Sequence, residues 1–169
     1  SCPLPWRSGQ EKGIALSCLF LAHCARGVRV TEYGPAGAGK SIMIASYPSE
    51  YKERITGGLV ERFKNRARIT VVPFDRLNSI DYRAYDVLVI IDALHAWQLF
   101  NTRTRWFVGK IDDPAELKKL VLFFTAGKPS ERYTFMGIDS ITAASEIADE
   151  SGNVEKIAER IEAILKRAD

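Results

Sequence analysis

The sequence predicts an α/β fold in which helices cover both faces of a parallel β-sheet. The first observation is residues 86–92, DVLVIID, where five consecutive apolar residues, four of them Val or Ile, lie between two aspartates. Short β-branched runs of this kind are typical of strands buried on both faces. Similar runs occupy residues 41–46, 68–72 and 120–125, and a weaker one occupies residues 133–138. Helix-like segments separate some of these runs, which indicates βαβ units.

Two helices are predicted from apolar spacing and capping residues. The first is expected over residues 51–66, with Ser49 as its N-cap and apolar side chains on one face. Gly57 and Gly58 weaken this helix unless another element packs closely there. The second is expected over residues 153–167, with its first residue, Asn153, as the cap.

Composition and charge limit the classes of function. The 169 residues include 24 basic and 21 acidic side chains, so the net charge of +3 does not favour nucleic acid as a partner. No run reaches the roughly 18 apolar residues that a membrane-spanning helix needs. The three cysteines all lie in the first 24 residues and the chain has two histidines, so neither a disulfide framework nor a metal site is predicted.

Residues 1–39 lack the regular pattern of strands and helices that begins at Lys40. We expect them to be an N-terminal extension or leader before a domain at residues 40–169. Their apolar run, residues 13–25, has the length of a signal-peptide core and lies between Lys12 and Arg26. An extension that packs as a helix or stays loose is favoured over a leader, which predicts a cytoplasmic protein. The alternative is a protein that is membrane-anchored or exported through the 13–25 run.

A phosphate-binding motif occupies residues 34–41, GPAGAGKS, which match the pattern G-x-x-x-x-G-K-[ST]. The fixed positions are Gly34, Gly39, Lys40 and Ser41. The motif resembles that of P-loop NTPases, which implies binding of Mg-ATP or Mg-GTP with Asp92 as the Walker-B aspartate. A P-loop requires a helix that starts at its Lys-Ser, whereas residues 41–46 have the pattern of a strand. We therefore favour a linker for this stretch and a capping role for Asp92.

A second set of motifs lies further along the chain. Tyr85-Asp86 precedes the central strand, residues 117–127 form a lysine-led run that ends in Phe-Phe-Thr-Ala-Gly, and residues 137–145 read GIDSITAAS. In these motifs, and in the order and spacing of its elements, the chain from 40 to 169 resembles flavodoxin-like proteins. The resemblance implies a three-layer sandwich whose five-stranded parallel sheet has the order 2-1-3-4-5.

The same resemblance implies three loops that bind FMN at the carboxyl ends of the strands. The phosphate turn would contain Ser46, Tyr47, Ser49 and Tyr51. The loop after the central strand would contribute Ala93, Leu94, His95 and Trp97. The third loop would contribute Thr125, Ala126 and Gly127. The phosphate turn departs from the family pattern at Pro48, where a hydroxyl would help, and at Glu50, whose carboxylate would repel phosphate.

Each loop also has a structural interpretation. His95 and Trp97 could pack under a loop over residues 93–110, and residues 125–127 could form an ordinary tight turn. The leading hypothesis is FMN binding for electron transfer or a small flavin-dependent redox activity, with a redox partner protein and no catalytic side chain assigned. The alternatives are the P-loop nucleotide-binding protein and a flavodoxin-like interaction module without a cofactor. The oligomeric state stays open.

Overall fold

Seven strands form one mixed sheet in the computed structural model, which describes residues 30–94, 101–127 and 133–167. The strands are β1 (Thr31–Tyr33), β2 (Ser41–Ser46), β3 (Arg68–Pro73), β4 (Val87–Ala93), β5 (Leu120–Thr125), β6 (Thr134–Phe135) and β7 (Ile138–Ala143). Their order across the sheet is β1-β3-β2-β4-β5-β7-β6. An α/β fold with a mostly parallel sheet is therefore confirmed.

The five strands at the centre of the sheet are parallel and lie in the order β3-β2-β4-β5-β7. The prediction of five strands in the order 2-1-3-4-5 was nevertheless wrong for the sheet as a whole. An antiparallel strand is added at each edge, β1 beside β3 and β6 beside β7. These edge strands are two or three residues long and include exposed residues, so they lack the apolar runs from which the other strands were predicted.

The weak strand predicted at residues 133–138 is a hairpin rather than a single strand. β6 and β7 pair through Phe135 and Ile138, and the two residues between them, Met136 and Gly137, both have positive φ, 51° and 83°. Positive φ at both central positions is the signature of a type I′ turn, which matches the twist of paired strands. The last parallel strand is therefore β7, which begins at Ile138.

The sheet begins before Lys40, where the domain was predicted to start. In β1, Thr31 pairs with Val71 and Tyr33 pairs with Ile69 of β3. The apolar run at 13–25 lies outside the described residues, and the division at residue 39 stays a prediction. No helix among the described residues is long and apolar enough to cross a lipid bilayer.

Within the described ranges, four α-helices accompany the sheet: α1 (Glu50–Phe63), α2 (Thr102–Gly109), α3 (Pro114–Leu117) and α4 (Glu150–Leu165). The cap of α1 is confirmed, because the Ser49 hydroxyl accepts a hydrogen bond from the N–H of Lys52 at 3.3 Å. The cap predicted for the last helix was wrong. Asn153 lies inside α4, where it is buried and donates to the hydroxyl of Tyr51 at 2.8 Å, and Asp149 stands at the N-cap.

Helices α1 and α4 cover one face of the sheet, and their contact explains one of the two adjacent glycines. A Cβ on Gly58 would lie 2.9 Å from a methyl group of Val154, so α4 packs directly against the α1 backbone at this point. A Cβ on Gly57 would meet nothing within 4 Å. The close packing that was expected at Gly57 and Gly58 is therefore present at Gly58.

The opposite face of the sheet is covered by α2 and by two 3₁₀ helices, Phe74–Ser79 and Tyr82–Ala84. The chain thus passes from β2 to β3 over one face and from β3 to β4 over the other. This reversal creates a topological switch point between β2 and β4, where ligands of doubly wound sheets bind.

Candidate functional site

The carboxyl ends of the central strands lie side by side at one edge of the sheet. Ser46 at the end of β2 pairs with Ile91 of β4, and Ala93 at the end of β4 pairs with Thr125 at the end of β5. Neighbouring strands are about 4.8 Å apart, so the starts of the three predicted loops are brought together. His95 and Trp97 lie outside the described residues.

Most polar groups of the turn after β2 already form hydrogen bonds within the protein. Tyr47 donates its N–H to the carbonyl of Ile91 at 2.8 Å, Pro48 has no N–H, and the Ser49 hydroxyl caps α1. The Tyr47 ring is 39% exposed and packs edge-on against Phe74, with ring centroids 5.6 Å apart. What remains for a ligand here is the first turn of α1, where N–H groups have no acceptor within the helix.

The carboxylate of Glu50 was expected to oppose phosphate binding at this turn. It forms an ion pair with Arg54 one turn along α1, at 3.1 Å, and Arg54 also approaches Glu150 of α4 at 4.0 Å. Arg54 is the one cation in these two contacts and is shared by two carboxylates, so it offsets only part of the negative charge of Glu50. The repulsion of an anion at the start of α1 is correspondingly reduced.

Tyr51 was predicted to bind the cofactor, but its side chain belongs to the core between the sheet, α1 and α4. It is buried and accepts the hydrogen bond from Asn153. Burial raises the pKa of its hydroxyl. The structure therefore places Tyr51 beneath the site rather than in it.

Lys52 lies near the carboxyl edge of the sheet, and the sequence reasoning did not single it out. Its side chain is 4% exposed, and its ammonium nitrogen lies 5.4 Å from the centroid of the Tyr47 ring. Burial lowers its pKa, and the negative charge of Asp92 partly offsets that effect. The signal was its spacing, because Lys52 precedes Ile55 by three residues on the apolar face of α1.

Asp92 is buried at the end of β4 and anchors the segment that leads into α2. Its carboxylate accepts hydrogen bonds from the N–H of Ala93 at 2.8 Å, the amide of Asn101 at 2.8 Å and the hydroxyl of Thr104 at 2.7 Å. These bonds tie the strand to the start of the helix. The favoured interpretation of Asp92 as a capping residue agrees with this geometry.

The loop after β5 has fewer available donors than expected. Ala126 donates its N–H to the carbonyl of Ala143 at 2.9 Å, and Leu94 donates its N–H to the carbonyl of Thr125 at 2.8 Å. Both bonds extend the sheet beyond the strand ends. Gly127 is exposed and a Cβ there would meet nothing within 4 Å, so the described part of this loop is open to solvent.

The P-loop interpretation is contradicted by the structure. Ser41 begins strand β2 instead of a helix, and its N–H and hydroxyl both bind a carboxylate oxygen of Asp86, at 2.7 and 2.8 Å. Lys40 and Ser41 also lie at the amino end of β2, whereas Asp92 lies at the carboxyl end of β4. The length of β2, roughly 16 Å, separates the supposed phosphate and Walker-B groups.

The glycines of the supposed P-loop have no phosphate-binding geometry. Gly34 has φ of 87°, and a Cβ there would clash with the backbone carbonyl of Ala67. Gly34 is therefore required by a tight turn that packs against the end of α1. A Cβ on Gly39 would lie in open space. This stretch therefore lacks the geometry with which a P-loop binds Mg-ATP or Mg-GTP.

A groove of about 450 Å³ lies on the α1 face, between α1 and β3. Its walls include Val60, Val71 and Pro73, and it reaches Ser46 at the carboxyl edge. No described residue of the loops after β4 and β5 lines this groove. Among the described residues, no group of three or more His, Cys, Asp or Glu side chains could hold a metal ion.

Comparison with known proteins finds similarity to solved structures but no match by sequence. No protein-family model matches the chain, and no curated protein matches it. Among solved structures, the oxidised flavodoxin 2 of Bacillus cereus is similar over 76% of this chain and 99% of its own, with 16% sequence identity and a TM-score of 0.44. That score is too low to carry an argument. The parallel strands themselves follow the flavodoxin-like order.

Proposed function

We propose that the protein binds FMN at the carboxyl edge of its sheet and uses it for electron transfer. The observation that carries the proposal is the switch point between β2 and β4, because ligands of doubly wound sheets bind at such a point, as FMN does in flavodoxin. The switch point lies between the end of β2 at Ser46 and the end of β4 at Ala93. Ala93 in turn pairs with Thr125 at the end of β5.

The donors at this edge fit the phosphate of FMN. The first N–H groups of α1 lack acceptors within the helix, and the helix dipole favours an anion at this end. Lys52, which is largely buried, belongs to the same first turn and carries a positive charge. Tyr47 offers an exposed aromatic ring beside it, which can contact a flat ring system.

Bound FMN would supply the redox chemistry, since a flavin accepts and donates electrons that these side chains cannot. The chain's contribution would be to hold the phosphate at α1 and to position the ring near the loops after β4 and β5. Contacts from Leu94 and Gly127 would set the polarity around the ring. A redox partner protein would then approach this open edge of the sheet.

The test is a fluorescence titration of FMN with the full chain. We expect flavin fluorescence to change saturably as protein is added. Tyr47→Ala should weaken FMN binding severalfold because an aromatic contact with the flavin ring is lost. Tyr33→Ala is the matched control, because Tyr33 is 40% exposed and Tyr47 is 39% exposed, while Tyr33 lies near the amino end of β3. Unchanged fluorescence at saturating protein would contradict the proposal.

The cofactor-free interaction module makes a different prediction for thermal melts. A ligand that binds the folded state raises the melting temperature, so FMN is expected to raise it and Mg-ATP is expected to leave it unchanged. A chain whose melting temperature ignores both ligands would support the module instead.

A further inference from the structure

We propose that the ammonium group of Lys52 binds the phosphate of the flavin and makes the site selective for FMN over riboflavin, an inference that rests on the proposed function. Lys52 occupies the first turn of α1, whose N-cap is Ser49. Side chains of a helix lean toward its N-terminus, which here faces the switch point.

The position of Lys52 is unusual because the residue is largely buried while its ammonium has no hydrogen-bonding partner among the described residues. Lysine is almost never fully buried unless it is paired. Lys52 is 4% exposed, and its ammonium forms neither a hydrogen bond nor an ion pair with any described residue. The ring of Tyr47, 5.4 Å away, supplies only a weak cation–π contact.

The neighbouring acidic groups do not replace that partner. Asp92 attracts Lys52 electrostatically, but its oxygens accept hydrogen bonds from Ala93, Asn101 and Thr104. A phosphate at the start of α1 would supply acceptor oxygens to the ammonium and to the first N–H groups of the helix together.

The burial of Lys52 also favours tight binding of a charged group. Its ammonium is already partly desolvated in the folded protein, so less hydration is lost when an anion binds. Riboflavin has the same ring system as FMN but no phosphate. The contribution of Lys52 should therefore appear in the ratio of the two affinities.

The test compares the binding of FMN and riboflavin by the full chain, by Lys52→Met and by Lys110→Met. Lys110 is the matched control because burial also lowers its pKa, while its ammonium donates to the carbonyls of Asn78 and Ile80, away from the strand ends. We expect Lys52→Met to lower the affinity for FMN at least about tenfold and to leave the affinity for riboflavin unchanged. We expect Lys110→Met to keep the wild-type ratio.

Competition by inorganic phosphate tests the same site without a variant that must fold. With the wild-type chain, inorganic phosphate should weaken the binding of FMN and leave the binding of riboflavin unaffected. A folded Lys52→Met protein that keeps the wild-type ratio of affinities would overturn the inference and leave the proposed function intact. A wild-type chain that binds neither flavin would overturn both.

Discussion

Lys52 and Lys110 are both partly desolvated lysines beside aromatic rings, yet their surroundings differ in kind. The ammonium of Lys110 donates to two backbone carbonyls, at 3.0 and 3.3 Å, and lies 4.8 Å from the Phe107 ring centroid. It links the end of α2 to the 3₁₀ segment beside it. The ammonium of Lys52 has one ring nearby and no hydrogen-bond acceptor among the described residues.

The difference separates a lysine with a structural role from the lysine that we propose binds a phosphate. Hydrogen bonds to carbonyls compensate the burial of Lys110, so its charge is explained by the fold alone. No hydrogen bond from a described residue compensates the burial of Lys52, and such a cost is expected where a ligand later provides the missing acceptors. The two regions should therefore respond oppositely to loss of the charge.

The largest expected effect is at Asp92, the acidic group that acts on Lys52. Asp92→Asn places an amide among hydrogen-bond donors, so we expect the free energy of unfolding to fall by about 2–3 kcal/mol in urea denaturation. Asp86→Asn is the control, because that carboxylate binds Ser41 at the amino end of the sheet. Both variants should lose stability, and only Asp92→Asn should lower the pKa of Lys52. An unchanged pKa of Lys52 would show that the charge of Asp92 does not act on Lys52.

Next in size are the stability changes caused by removing each lysine. Lys110→Met leaves the carbonyls of Asn78 and Ile80 without their donor, so we expect the free energy of unfolding to fall by about 1–2 kcal/mol. Lys52→Met removes a desolvated charge, so we expect that free energy to rise by about 1 kcal/mol. Urea denaturation of both variants checks the signs. Changes of the same sign would remove the contrast between the two regions.

The pH dependence of FMN binding sharpens the contrast further. Burial holds the pKa of Lys52 below its ordinary value of about 10.4, and a bound phosphate would raise it. FMN binding therefore takes up a proton at alkaline pH, and affinity should fall as pH rises through the free-form pKa. Among the other charges, Asp92 acts on Lys52 directly and Glu50 is paired with Arg54.

Fluorescence titrations across alkaline pH check this expectation. The wild-type affinity should decline before pH reaches the ordinary lysine range, and Lys52→Met should show little decline. Parallel curves for the two proteins would mean that another group causes the alkaline loss.

The smallest effects are expected at the glycines of the helix that carries Lys52. Gly57→Ala adds a methyl group in open space, so we expect a gain of about 0.5–1 kcal/mol from helix propensity. Gly58→Ala presses on Val154, so the overpacking should outweigh that gain and leave a net loss of about 1 kcal/mol. Thermal melts of the two variants should shift in opposite directions. Equal shifts would show that α4 does not hold α1 at this point.

The parallel core and α1 could be predicted because they depend on local patterns. β4 is buried along residues 87–92, and a strand buried on both faces must be apolar throughout. The short edge strands β1 and β6 leave no such pattern, since they are held by pairing with a neighbour rather than by burying an apolar run. α2 was missed for a related reason, because Phe107 and Val108 are its buried apolar residues and its start depends on Asp92.

The site was harder to predict than the fold. The sequence indicated which strand ends would meet, because parallel strands end at the same edge. It did not indicate that Tyr51 would turn into the core toward Asn153, or that Lys52 would be buried, because those outcomes depend on how α1 docks against α4 and the sheet. The P-loop motif shows the converse, since Gly34 is explained by a tight turn and Ser41 by Asp86.

A crystal structure of the full chain with FMN would test the central claim most directly. We expect the phosphate at the start of α1, with an oxygen about 2.7–2.9 Å from the ammonium nitrogen of Lys52, and the ring beside the loops after β4 and β5. An FMN bound elsewhere, or a phosphate at α1 that leaves the ammonium of Lys52 without an acceptor, would contradict the account.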